Sequence, residues 1–63
     1  MKVRALISFT DPEQEYRSCQ AGNIYPCHVV TYKTGTAELY IRTPGGDICL
    51  VEGEYEVIEG TVR

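Results

Sequence analysis

From Lys2 to Phe9 the chain alternates, with Val3, Ala5, Ile7 and Phe9 on one face and Lys2, Arg4, Leu6 and Ser8 on the other. A period of two predicts a strand with one buried face. Ile24 to Tyr32 is rich in β-branched and aromatic residues and reads as a second strand, with Pro26 placing its start at a sheet edge. Ala37 to Thr43 alternates again, Ala37, Leu39 and Ile41 opposing Glu38, Tyr40 and Arg42. Ile48 to Val51 and Tyr55 to Ile58 supply a fourth strand and a short fifth. The breaks between them are turn sequences: Lys33-Thr34-Gly35-Thr36, Pro44-Gly45-Gly46-Asp47 and Glu52-Gly53-Glu54. No segment holds a 3.6-residue period long enough to predict a substantial helix.

Thr10 to Asn23 is the longest irregular stretch. It opens on the turn-forming Asp11-Pro12 and closes at Ala21-Gly22-Asn23. A single helical turn over Pro12–Tyr16 fits its residues less well than an ordered surface loop. Long loops carry function more often than the elements they join. Here Asp11, Glu13 and Glu15 gather beside Tyr16.

Five short strands joined by one long loop and then tight turns make a meander that must curl to cover its core. A small barrel hides the edges of such a sheet. The expectation is therefore one all-β domain over residues 1–63, a five-stranded barrel with a long acidic loop between its first two strands. If Tyr32 stands opposite Ala37 across the Lys33–Thr36 turn, Val30 faces Leu39 and His28 faces Ile41 in the interior. Tyr25, Cys27, Val29 and Tyr40 then form an outward apolar strip. A one-residue slip of the second strand reverses its faces. A two-residue Gly45-Gly46 loop puts Ile48 and Leu50 inward.

The order of these elements resembles the SH3 fold. Arg4-Ala5-Leu6-Ile7-Ser8-Phe9-Thr10-Asp11 is similar to the first SH3 strand running into its acidic loop, and Gly22-Asn23-Ile24-Tyr25 to the diverging turn. Gly46-Asp47-Ile48 with Gly53-Glu54-Tyr55-Glu56-Val57-Ile58 resembles the final hairpin, short helical turn and last strand. Ala37 and Glu38 stand where SH3 domains carry a tryptophan, and Cys49 and Leu50 lie near the place of the groove proline. The resemblance thus implies the barrel without the aromatic groove for proline-rich ligands. Standalone bacterial and phage SH3-like proteins are the nearer likeness, and it implies a phage or mobile-element accessory protein, such as an inhibitor of a host factor.

A chain of 63 residues buries only about 60% of the surface its unfolded form exposes, so its stability is modest. With 43% hydrophobic residues, one phenylalanine and no tryptophan, the core must be mainly Val, Ile, Leu and Tyr. The net charge of −3 and the scattering of Lys2, Arg4, Arg17, Lys33, Arg42 and Arg63 count against counterion-releasing contact with nucleic acid. They favour a mildly basic protein partner. Absence of an apolar leader or membrane span leads to an expectation of a cytoplasmic protein with no membrane partner.

Cys19, Cys27, Cys49 and the single His28 suggest a Cys3His zinc site only as an alternative. No Cys-x-x-Cys knuckle is present, and neighbouring strand residues Cys27 and His28 point to opposite faces. The simpler expectation is three reduced thiols, with Cys49 the best candidate for burial, and no cofactor. Adjacent Cys27 and His28 are badly placed for proton transfer. The loop carboxylates have no apolar surroundings to shift their pKa. A barrel this small has no room for a substrate cavity of roughly 300 Å³. The sequence therefore predicts a non-enzymatic protein-binding module whose contacts are Asp11, Glu13, Glu15, Tyr16, Tyr25, Val29 and Tyr40. Its partner is another protein or a second copy of itself. The other-class alternative is a nucleic-acid-binding barrel that stacks bases on its tyrosines.

Overall fold

The period-two segments form strands throughout. A computed structural model describes residues 1–59, through which run β1 (Lys2–Ala5), β2 (Phe9–Thr10), β3 (Ser18–Cys19), β4 (Ile24–Thr31), β5 (Ala37–Thr43), β6 (Gly46–Leu50) and β7 (Tyr55–Glu59). Among the described residues there is no helix, hence none long and apolar enough to cross a membrane. The fold is all-β. Five strands form an antiparallel sheet in the order β6-β5-β4-β1-β7, and β2 pairs with β3 in a separate ribbon.

β4 joins the two halves of the sheet. Its first residues, Ile24 to Pro26, pair with β1, and Cys27 to Thr31 pair with β5. Pro26 therefore lies in the central strand rather than at the sheet edge the sequence suggests. It sits at the hand-over, where β4 has β1 on one side and pairing with β5 begins one residue later. A residue without an N–H is tolerated where a strand is locally one-sided.

The register of the β4–β5 hairpin differs from the expected one by a single residue. Thr31, not Tyr32, stands opposite Ala37. The Tyr32 N–H donates to the Thr36 carbonyl at 2.8 Å, and the Gly35 N–H to the Tyr32 carbonyl at 2.9 Å. With Gly35 at φ 89°, this is a type I turn closed by a glycine bulge, a three-residue loop in place of the expected four, and the one-residue difference flips the parity of the strand before it. Cys27 and Val29 consequently face inward, opposite Ile41 and Leu39, while His28 and Val30 face outward. The β5–β6 loop is Pro44-Gly45 rather than Gly45-Gly46, with Thr43 opposite Gly46. This displacement changes the register by two, so Ile48 and Leu50 still point inward as expected.

The interior follows as rows across the strands. Cys27, Ile41 and Ile48 make one row and Val29, Leu39 and Leu50 the next. Val3 lies between Tyr25 and Val57, and Ala5 opposite Tyr55. Val3, Ala5, Cys19, Cys27, Leu39, Ile41, Ile48 and Leu50 are buried in one contiguous core, with Met1, Ile7, Tyr25, Val29 and Tyr55 packed on it. Cys49, expected inside, is exposed; Cys19 and Cys27 are the buried thiols.

The expected first strand is broken at Leu6–Ser8, and the expected loop is partly a strand. The chain leaves the sheet after Ala5, and Phe9 and Thr10 pair instead with Cys19 and Ser18. This brings buried Cys19 over the core. The far end of the ribbon rests on the β5–β6 turn. A β-carbon on Gly45 would fall onto the Tyr16 carbonyl and the Arg17 nitrogen, so only glycine allows the two backbones to meet.

Two glycines are therefore needed for different reasons, and their replacement separates those reasons. Gly45→Ala should cost about 1–3 kcal/mol, because a methyl is driven into unyielding backbone. Gly35→Ala meets nothing within 4 Å and should lose only about 1 kcal/mol, the backbone cost of a positive φ. Denaturant unfolding measures both; Gly35→Ala proving the costlier of the two would contradict the packing of the ribbon on the turn.

Candidate functional site

The acidic loop between β2 and β3 is tightly built. The Asp11 carboxylate accepts the Glu13 N–H at 2.9 Å on one oxygen and lies 3.3 Å from the Arg17 Nε on the other. Backbone bonds from Asp11 to the Arg17 carbonyl, Gln14 to Asp11 and Arg17 to Gln14 close the loop. The Asp11 side chain is only 18% exposed, so it holds the loop's shape rather than facing solvent. Glu13 and Glu15 are exposed, and Tyr16 is the most exposed large hydrophobic side chain among the described residues at 70%. A tyrosine held out by a fixed backbone presents contact area without ordering a loop on binding.

The expected outward strip of Tyr25, Cys27, Val29 and Tyr40 does not exist, because the Gly35 bulge puts its members on two faces. Tyr25 and Val29 are half-buried against the core, and the Tyr25 hydroxyl accepts the Gln20 N–H at 2.9 Å. Tyr40 alone remains on the outer face.

His28, expected in the interior, joins it there. His28 stacks on Tyr40 with ring centroids 5.7 Å apart and planes 15° from parallel. Arg42 Nε donates to His28 Nδ1 at 3.5 Å, and His28 Nε2 lies 3.7 Å from the Asp47 carboxylate. On the other side of the ring, the Tyr40 hydroxyl donates to one Glu38 oxygen at 3.2 Å and the Cys49 thiol to the other at 3.8 Å. The Tyr32 phenol is pushed above its ordinary value, chiefly through hydrogen bonding with Glu38 and then with Tyr40. The signal for this cluster was present in Lys33-Thr34-Gly35, since a short connection containing glycine marks a bulged hairpin.

A shallow depression of about 170 Å³ lies beside β6, lined by Ile7, Phe9, Ile48, Cys49, Leu50 and Glu54. It is well below the volume of an ordinary small-molecule site, about 300 Å³ or more. The Glu54 carboxylate on its wall accepts the Val51 N–H at 2.9 Å with one oxygen. Cys19 and Cys27 point into the core while Cys49 and His28 lie on the outside. Among the described residues no three His, Cys, Asp or Glu side chains converge as metal ligands do.

Two thiols are displaced in the same direction. Burial pushes the Cys27 thiol up, partly offset by the nearby N-terminal amine. Cys49 is raised by partial burial first and by the Glu38 charge second. Because the thiolate is the reactive form, the exposed thiol should be slow at neutral pH. With iodoacetamide, the folded protein should be alkylated at Cys49 alone, with a pH midpoint above that of a free cysteine. Glu38→Gln should lower that midpoint. Peptide mapping that finds Cys19 modified as fast as Cys49 would contradict the packing described.

Comparison with known proteins finds no matching family model, no matching curated protein and no matching solved structure, which leaves these surfaces as the basis for a functional reading.

Proposed function

We propose that this chain is a non-enzymatic protein-binding module on an SH3-like barrel, docking its partner through the tip of the β2–β3 ribbon. The strand order β6-β5-β4-β1-β7, the sharing of β4 between β1 and β5, and the ribbon inserted between β1 and β4 support the barrel. The observation that carries the binding reading is Tyr16, 70% exposed on a loop fixed at both ends by Asp11 and by the Gly45 contact. Glu13 and Glu15 flank it as exposed acids and suit a basic partner surface. In this reading Asp11 positions the loop, and Tyr16, Glu13 and Glu15 make the contacts.

Nucleic acid is the weaker reading on the same surface. Arg4 lies 3.5 Å from Glu56 and Arg17 3.3 Å from Asp11, while Arg42 is turned to His28. Cations turned toward internal partners have fewer contacts left for phosphates.

Wild type, Tyr16→Ala and Glu13→Lys, each immobilised and used to capture proteins from a cell extract, test the reading. Both variants should lose the same captured protein by about tenfold or more, as loss of a hot-spot side chain does. Their melting temperatures should stay within a few degrees of wild type, since exposed substitutions move stability by about 0.5 kcal/mol. Undiminished capture by both variants refutes the ribbon tip as the contact.

A further inference from the structure

We infer that the open edge of β6 binds an extended peptide as an added strand, one whose side chains alternate between apolar and basic. This rests on the binding-module reading above and gives that module's partner a chemistry.

Among the described residues β6 is an outer strand of the sheet, bonded to β5 on one side only. A two-residue loop requires Thr43 and Gly46 to be a mutually hydrogen-bonded pair, and such pairs alternate along an antiparallel ladder. Ile41 with Ile48 and Leu39 with Leu50 are then also bonded pairs, which turns the peptide groups of Asp47 and Cys49 away from β5. Neither residue's backbone has another backbone partner among the described residues, and both residues are exposed. Two donors and two acceptors thus stand in a row, the template to which a second strand adds.

The flanks of this edge specify what the added strand would carry. On its inner side lies the depression walled by Ile7, Phe9, Ile48 and Leu50, sized for one apolar side chain at a time. On its outer side are Asp47, which stands opposite Arg42, and Glu38, which accepts from Tyr40 and Cys49, two carboxylates to one arginine. Glu54 closes the depression, and its second oxygen has no partner among the described residues. A strand's side chains alternate faces. One facing inward should therefore be apolar and the next, facing the carboxylates, should be Lys or Arg. A second copy of this chain fits poorly, because it brings another net charge of −3. The edge is also continuous with the ribbon tip: Tyr16 and Arg17 rest on Gly45, one residue before β6 begins. A segment lying on β6 would run directly to Tyr16.

The probe is a ten-residue peptide of alternating Lys and Val, capped at both ends, titrated into the ¹⁵N-labelled protein and followed by NMR. The Asp47 and Cys49 amides should shift saturably and become protected from hydrogen exchange. A Glu–Val peptide, and a Lys–Val peptide with its residues in blocks, should bind about tenfold or more weakly. The alternating peptide with every second backbone nitrogen methylated should lose binding on the methylated register, a test that leaves the protein untouched. Cys49→Pro should lose binding and Cys49→Ser should keep it. Unmoved Asp47 and Cys49 amides, or equal binding by the methylated peptides of both registers, would overturn the strand-addition proposal. Shifts confined to residues 11–17 would also overturn it, while leaving the ribbon tip as the docking site. Loss of capture by Tyr16→Ala is read independently in the extract experiment, so the two ideas can fail separately.

Discussion

β4 must satisfy two neighbours with one period of two. Its first three positions are fixed by β1 and the rest by β5, so the face that meets the core in one half must meet it in the other. Tyr25, Cys27 and Val29 are that face. Were β4 to slip by one residue against β5 alone, it would carry His28 and Val30 into the rows now filled by Cys27 and Val29. The strand would then present opposite faces to its two partners. The glycine bulge at Gly35 is the local device that keeps both pairings in phase.

That dependence explains what the sequence disclosed and what it concealed. The alternation of apolar residues located each of the main strands, because burying one face is a local property of the strand. Register is a property of the turn, and an error there matters by its parity. Displacing the β5–β6 turn changed the register by two and left Ile48 and Leu50 inside. Shortening the β4–β5 loop from the expected four residues to three changed it by one and exchanged the faces of β4. The misplacement of Tyr25, Val29 and His28 follows from that one residue. Cys49 lies outside for another reason: its small apolar side chain suits a core, but it alternates with Ile48 and Leu50, which already occupy the inner face.

The candidate site was legible in composition and not in role. Acids and a tyrosine on the longest loop drew attention to residues 11–16. Nothing in their order distinguished Asp11, whose carboxylate ties the loop together, from Glu13 and Glu15, which face solvent. That distinction depends on Arg17 returning beside Asp11, a contact set by pairing between β2 and β3 that period-two reading of an irregular stretch does not detect. The outer-face group around Tyr40 was hidden by the same parity error that produced the false apolar strip.

The ribbon also bears on why the β6 edge can remain open. An exposed edge invites indiscriminate pairing between copies, and proteins blunt it with charge, short length or cover. β6 has five residues, carries Asp47, and has Tyr16 and Arg17 resting on the turn at its start. Phe9 and Ile7, standing across the depression, limit the space beside Ile48 and Leu50. A broad, flat, acidic or unstructured-polar partner gains little there, because it must match hydrogen bonds, alternation and charge together. The features that protect the edge against unselective association are the same ones that would give it selectivity, since a partner must offset each of them to bind.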